Sequence, residues 1–343
     1  MEPTGRAAAA PTRAGVMKAV VQEGYGPPEV LRLAEVPRPS PGKGEVLLRV
    51  RAAGVDRGVW HLMAGLPYVV RPVLGLRRPR NPAVGQDVAG TVEDAGPGVT
   101  AFAPGDEVWG VASGSFAEYA VARADRICRK PARLGFEEAG VLAVSGLTAL
   151  QGLRDAGRVR PGQHVLVVGA SGGVGTYAVQ VAKALGAEVT GVCSTAKADL
   201  VRAIGADHVV DYTRTDFAAA GRRYDVVLDI GGSSRLSRLR AVLAPRGTLV
   251  IAGGEDAGDW LGLRRQFAAL ALAPFVRQRL AVFVAKTRRA DLEALADLVE
   301  AGRLTPVVGA RFALADVPEA LRLLAAGGVR GKAAVVVGEE GRA

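Results

Sequence analysis

The chain has 343 residues, too many for one ordinary domain and enough for two, and its 49% hydrophobic residues supply material for two cores. The formal charge is +10, yet only seven of the 44 basic residues are lysines, and the basic residues are scattered without interleaved aromatics, which reads as an arginine-rich composition and not as a nucleic-acid surface. Two cysteines, Cys128 and Cys193, exclude a disulfide framework and a four-cysteine zinc lobe, and fit a reducing, cytoplasmic setting.

Residues 1–16, "MEPTGRAAAAPTRAGV", lack the apolar segment of a signal peptide and predict a disordered tail. Residues 17–135 are rich in Gly and Pro and carry short alternating runs such as "KAVVQ", "GEVLLRVRAAGV", "VAGTVEDAG" and "FAEYAVA", separated by turn signals. That texture predicts an all-β barrel. From Phe136 the period changes. "FEEAGVLAVSGLTALQGLRDAG" is helical, "HVLVVGA" is a continuous apolar strand, and strand and helix then alternate through "TYAVQVAKALG", "EVTGVC", "KADLVRAIG", "HVVDY", "YDVVLDI", "RLRAVLAPRG" and "TLVIAGG". Such a run predicts a doubly wound parallel sheet with right-handed crossovers over 136–285. "FAALALAPFV" (267–276) is apolar but short, bracketed by arginines and broken by Pro274, which suits a buried helix or a subunit contact and not a membrane span. The last strand, "GKAAVVVG", has no βα unit of its own and suits a return to the first domain, so 286–343 is grouped with 17–135.

The chemistry is concentrated after "HVLVVG". Ala170-Ser171-Gly172-Gly173-Val174-Gly175 is a G-x-G-x-x-G pattern with Ala in first place, between a predicted strand and a predicted helix. Gly172 and Gly173 admit a pyrophosphate to the backbone, Gly175 lets strand and helix pack closely, and the helix N-terminus favours the anion. About 20 residues further on, an NAD site carries an acid for the ribose. Here stand Cys193, Ser194 and Thr195, followed by Lys197. Hydroxyls and an ammonium without a carboxylate suit a 2′-phosphate, and the cofactor predicted is NADPH. Tyr212, at the carboxyl end of "HVVDY", lies at the sheet edge where ligands bind and suits stacking near the adenine.

"AAGVDRGVWHLMAG", "PAVGQDVAGTVEDAGPGVTAFAPGDEVWG", "GSFAEYAV", "SGLTALQGL", "GASGGVG", "CSTAKADLVRAIGADHVVDY" and "GGVRGKAAVVV" occur in the order in which the medium-chain dehydrogenase/reductase superfamily carries such segments. The chain resembles its zinc-independent quinone oxidoreductase (zeta-crystallin-like) branch from Met17 to Val337. The resemblance implies a GroES-like β-barrel catalytic domain, discontinuous in sequence, closing over a Rossmann cofactor cleft. It implies hydride transfer to a quinone or other small conjugated carbonyl lying between the nicotinamide and the barrel loops. Asp56, Trp60, His61 and Tyr68 are then the substrate-side candidates, with Asp56, Trp60 and Tyr68 taken as catalytic. Thr148 is placed toward the nicotinamide, and Lys332 toward the phosphates or the pocket. Zinc-dependent members have a Cys after "AGV", a His in "GHE" and a further Cys near 145–146, where this chain has Asp56, Gln86 and Ser145-Gly146, so no metal is expected. The same scaffold also suits an enoyl reductase acting on thioesters, and a non-catalytic NADPH-binding redox sensor is the reading from another class. Family members often pair through their Rossmann sheets, which makes a homodimer possible, with "RGTLVIAGG" as the edge strand.

Overall fold

The computed structural model describes residues 15–219, 221–253 and 264–338. All but the last two residues of the expected N-terminal tail lie outside these. Val16 already opens a strand, β1 (Val16–Gln22), which pairs antiparallel with β2 (Leu31–Pro37). The barrel sheet begins with β3 (Glu45–Val55), β4 (Asp87–Ala95), β5 (Glu107–Val111), β6 (Tyr119–Arg123) and β7 (Ile127–Arg129). The β3–β4 register shifts between Val50 and Ala52. Gly90 sits at this crossing because a Cβ there would lie 2.2 Å from the Arg49 carbonyl oxygen.

The second domain contributes β8 (His164–Val168), β9 (Glu188–Cys193), β10 (His208–Asp211), β11 (Tyr224–Asp229), β12 (Leu243–Ile251) and β13 (Arg279–Val282). They form one sheet in the order β10-β9-β8-β11-β12-β13, and every pairing is parallel. The strand order reverses between β8 and β11. That crevice, at the carboxyl ends of the strands, is where open parallel sheets take their ligands. β12 has neighbours on both sides, so "RGTLVIAGG" does not form the sheet edge that the sequence suggested. The edge is β13. The apolar segment 267–276 is not a buried helix either: it spans the end of helix Arg264–Leu272 and a 3-10 turn at Ala273–Phe275, and Phe267 and Leu270 are each 53% exposed and Phe275 84%.

The chain then returns to the barrel. β14 (Val308–Ala313) and β15 (Lys332–Val336) pair parallel with each other, and β15 pairs antiparallel with β3. Between β13 and β14 runs helix Arg289–Glu300, whose Leu292, Leu295 and Val299 are buried. They join a core made by both domains: Ala89, Trp109 and Cys128 of the barrel meet Leu142, Leu147, Val165 and Tyr177 of the parallel-sheet domain. A second core fills the barrel around Leu48, Val50, Met63 and Phe116. A third lies under the other face of the parallel sheet around Leu166, Val227 and Leu249.

The shared core makes the two domains one cooperative unit, and Leu295 tests this. It is fully buried, and its Cδ1 lies 3.1 Å from where a Cβ on Gly146 would stand. Leu295→Ala is expected to lower unfolding free energy by about 2–5 kcal/mol in a single urea transition. Two separate transitions in the wild type would refute the common unit.

Candidate active site

A cleft of about 1300 Å³ opens over the β8/β11 crevice, walled by the parallel sheet on one side and by barrel residues on the other. Its floor is the loop after β8. Gly169 takes a φ of +88°, a conformation suited to glycine, and helix Gly173–Ala184 starts four residues later. Ser171, Gly172, Gly173 and Val174 line the cleft. Ala170 and Gly175 lie beneath it. The Ala170 methyl packs 3.0 Å from the Cβ position of Gly191, and a Cβ on Gly175 would stand 2.1 Å from the Gly169 carbonyl oxygen. The alanine in the first glycine place is therefore a packing residue, and Gly175 is the position at which strand and helix backbones touch.

At the adenosine end, Ser194 lines the cleft just past β9, and Tyr212, 62% exposed, lines it just past β10. Lys197 lines it too, but its ammonium donates to the carbonyls of Gly327 at 2.7 Å and Val329 at 2.8 Å, tying the parallel-sheet domain to the returning segment. Burial, then the nearby Arg330 charge, push the Lys197 pKa down. Thr195 does not line the cleft. Its hydroxyl is bonded to Asp211 and lies 3.0 Å from the Thr213 hydroxyl. Asp211 ends β10 in register with Cys193, so a carboxylate does stand beside the end of β9, supplied by the neighbouring strand. Hydrogen bonds from Thr195 and Thr213 hold its carboxyl below the usual range. Opposite lie residues that the sequence reading missed: Ser233, Ser234, Arg235, Ser237 and Arg238, with the buried Phe217. The Arg238 guanidinium lies 5.0 Å from the Phe217 ring centroid. The available signal was "SSRLSR", separated by three residues from the carboxyl end of an inner strand. The loop's start is braced from below, where Arg265 pairs with the fully buried Asp229 and also donates to the Gly232 carbonyl.

At the barrel end, Asp56 caps helix Arg57–Ala64, its Oδ1 accepting from the Val59 N–H at 3.0 Å. Its Oδ2 is buried with no hydrogen-bond partner, and the residue lines the cleft. From that cap, helical spacing turns Arg57, Gly58 and His61 to the cleft. Trp60 points the other way, into contact with the barrel core, its ring 5.3 Å from that of His61. Tyr68 lies on the short turn Tyr68–Val70 beneath the Arg71 guanidinium, 36% exposed, and does not line the cleft. Of the four substrate-side candidates the structure thus brings Asp56 and His61 to the cleft and leaves Trp60 and Tyr68 outside.

Helix Ala143–Gln151 completes this end. Ser145 and Thr148 line the cleft, and the Thr148 hydroxyl donates to the Val144 carbonyl at 2.8 Å. Lys332 lines it from β15. Its side chain is 1% exposed, and its ammonium lies 3.2 Å from Asp87 Oδ2 and 3.1 Å from Ser145 Oγ.

Two glycines of the loop should respond differently to a methyl group. At Gly172 nothing lies nearer than 3.6 Å to the added Cβ, while at Gly175 the neighbour is backbone that cannot yield. Gly172→Ala is expected to keep the wild-type melting temperature and weaken cofactor binding, because the methyl enters the cleft. Gly175→Ala is expected to cost about 1–3 kcal/mol of stability or more. Calorimetric melting with cofactor titration reads both. Equal melting temperatures for the two variants would refute this division of labour.

The chain is similar to known proteins along nearly its whole length. Residues 42–132 match the family model of the alcohol dehydrogenase GroES-like domain, and residues 204–335 match that of the zinc-binding dehydrogenases. A chloroplastic quinone oxidoreductase of Triphysaria versicolor is 33% identical over 319 residues, covering 89% of this chain and 94% of the relative. A mitochondrial NAD(P)H oxidoreductase of Mus musculus is 32% identical, over 95% of this chain and 90% of its own. Among solved structures, the quinone oxidoreductase of Coxiella burnetii superposes with a TM-score of 0.84 at 29% identity, covering 94% of this chain and all of the other. The chain belongs to the medium-chain dehydrogenase/reductase family, in its quinone oxidoreductase-like branch, and is an NAD(P)H-dependent oxidoreductase.

Proposed function

We propose that the chain is a zinc-independent, NADPH-dependent reductase of small conjugated carbonyls, quinones or enones. The observation that carries this reading is the Lys332 ammonium 3.1 Å from Ser145 Oγ. In zinc-dependent members of the family the metal ligands fall at the places of Asp56 and Gln86 and near Ser145-Gly146. Here the donors are oxygens, one of them is already bonded by a buried cation, and a dication would meet that cation's repulsion. Among the described residues no group of three or more His, Cys, Asp or Glu could hold a metal ion. Zinc does not fit this donor set, and no step is assigned to it.

Ser171, Gly172, Gly173 and Val174 suit the pyrophosphate, Ser194 and Tyr212 the adenosine, and Thr148 the nicotinamide end. Held there, the cofactor supplies a hydride for the electrophilic carbon. The chain's own residues do the rest. Asp56 offers a buried acceptor, Oδ2, to a hydroxyl or amide donor in the cleft. His61, Ser145 and Lys332 bear the protons nearest the barrel end and suit polarisation of a carbonyl oxygen. The barrel wall keeps water from the reacting atoms. NADPH oxidation measured over quinones, enones and enoyl thioesters tests the substrate class, and preference for the thioesters would replace the quinone reading.

The choice of NADPH rests on Ser194 at the end of β9, with Lys197, Arg235 and Arg238 on the same cleft. Asp211 opposes it, but its oxygens are taken by Thr195 and Thr213. A cytoplasmic setting is proposed on the two buried, unpaired thiols, and a homodimer on the outer edge of β13.

NADPH should bind more tightly than NADH, by a margin that shrinks in high salt. Ser194→Asp should reverse the preference, costing NADPH about 1–3 kcal/mol. Dissociation constants for both cofactors decide this, and equal wild-type affinities would sink it. Elemental analysis should find no stoichiometric zinc, and chelators should leave the rate unchanged; one zinc per chain would overturn the metal-free reading.

A further inference from the structure

Asp87 is fully buried and ionisable, lies one residue behind the cleft lining, and has no part in the proposed reaction. Its surroundings are nevertheless built for it. One oxygen, Oδ1, accepts from the Val144 N–H at 2.7 Å, at the start of helix Ala143–Gln151. The other, Oδ2, accepts from the Lys332 ammonium at 3.2 Å, and the same ammonium lies 3.1 Å from Ser145 Oγ on that helix. Room for this arrangement comes from two bare backbones. A Cβ on Gly54 would stand 2.7 Å from Asp87 Oδ2, and a Cβ on Gly173 would stand 2.9 Å from Lys332 Cδ and 3.5 Å from Ser145 Oγ. So β3, β4, β15, helix Ala143–Gln151 and the glycine-loop helix all converge on one buried ion pair.

We propose that Asp87 is a positioning residue of the reductase: from inside the barrel it holds Lys332 and the start of helix Ala143–Gln151 against the glycine-loop helix, and so sets where the reacting end of the cofactor and the substrate oxygen meet. The inference rests on the cofactor cleft described above. Ser145, Thr148 and Lys332 are the cleft-lining groups that this carboxylate places, and Ser194 and Tyr212 at the adenosine end are not among them. Misplacement at the reacting end costs rate while leaving the anchoring of the far end intact.

The pair also gives the cleft a pH dependence of known sign. The charged groups facing Asp87 are Lys332 on β15 and Asp56 at the start of helix Arg57–Ala64, with the Tyr177 hydroxyl on the glycine-loop helix also near. Burial pushes its carboxyl up to about 6; the Asp56 charge adds to this, and Lys332 and the Val144 N–H oppose it. Protonation as pH falls through that value removes the counter-charge from Lys332, so hydride transfer should fall on the acid side.

The experiment measures single-turnover cofactor oxidation and 2′,5′-ADP binding across pH 5–8 for the whole chain. Asp87→Asn is expected to slow hydride transfer about 10- to 100-fold, to leave 2′,5′-ADP binding within about twofold, and to abolish the acid limb. Lys332→Met removes the positive charge that holds the carboxyl pKa down, so its limb should move to higher pH. Asp56→Asn removes the negative charge that pushes it up and should move the limb to lower pH, without touching the ion pair. Lys332→Arg should recover part of the rate lost in Lys332→Met. Parallel losses of rate and 2′,5′-ADP binding in Asp87→Asn, or an acid limb unmoved in both of the other variants, would overturn the proposal. Absence of both 2′,5′-ADP and ADP binding in the wild type would overturn the cleft assignment and the proposal together.

Discussion

Burying a charge is costly, and burying two is tolerated only where each finds its partner and its remaining hydrogen bonds. The Asp87–Lys332 pair meets that condition through the Val144 N–H and the Ser145 hydroxyl, and each of those partners belongs to the other domain. The pair therefore does more than join β4 to β15. It requires helix Ala143–Gln151 to sit at one height and one rotation against the barrel, since any slip would strip the buried pair of the Val144 N–H and the Ser145 hydroxyl, at a cost of about 1–3 kcal/mol for each group left unsatisfied. The apolar core around Trp109, Leu142, Tyr177 and Leu295 supplies the adhesion between the domains. Apolar contact is non-directional, and the ion pair adds direction.

The rest of the cleft follows from that fixed relation. The β8/β11 reversal opens the crevice, the glycine loop forms its floor, and the barrel wall is delivered by Asp56, His61 and Lys332. The returning segment closes the far side through two further ties. Lys197 donates to Gly327 and Val329, and the Gly331 N–H donates to the Ser171 carbonyl at 3.0 Å. Ser171 is a loop residue that lines the cofactor cleft, so the loop that meets the pyrophosphate is held by the same segment that carries Lys332. A cation of the cofactor site and a strand of the catalytic domain are thus parts of one connected frame.

What the sequence revealed and what it hid divide along a physical line. Local pattern was enough for the barrel texture, the parallel sheet, the glycine loop and the returning strand, because each depends on period, turn chemistry or steric exclusion within a short window. The cleft positions of Ser171, Gly172, Gly173, Ser194 and Tyr212 were legible for the same reason, since each follows a strand end. The misplacements all involve geometry between segments. Thr195 was assigned to the phosphate because Asp211 is distant in sequence, and only the β9–β10 register sets Cys193 beside Asp211. The sequence does not separate Trp60 from His61, because nothing in an eight-residue helix says which face meets the other domain; only the Asp56 cap, as a point to count from, narrows the choice. Arg235 and Arg238 carry no sequence signal of their own, because a polar turn after a strand has no fixed spacing to its ligand. Asp87 was invisible as a site residue, since its partner stands 245 positions away.

The adenosine end shows how charge is apportioned when one residue must serve two duties. Lys197 is the nearest cation to Ser194 in the chain, yet its ammonium is already committed to two carbonyls, and burial together with Arg330 disfavours its charge. A group so engaged contributes less to an arriving phosphate than an unengaged lysine would, because its bonds to Gly327 and Val329 must be given up or shared. Arg238 is likewise shared, pairing with Asp216 while lying over the Phe217 ring. Asp211 is shared in the opposite sense, its negative charge drawn off by Thr195 and Thr213. The field at this end is therefore a balance of partly occupied charges and not a single cation facing a phosphate. Ser194, a neutral hydroxyl on the cleft wall, is the position where a new charge would shift that balance most directly.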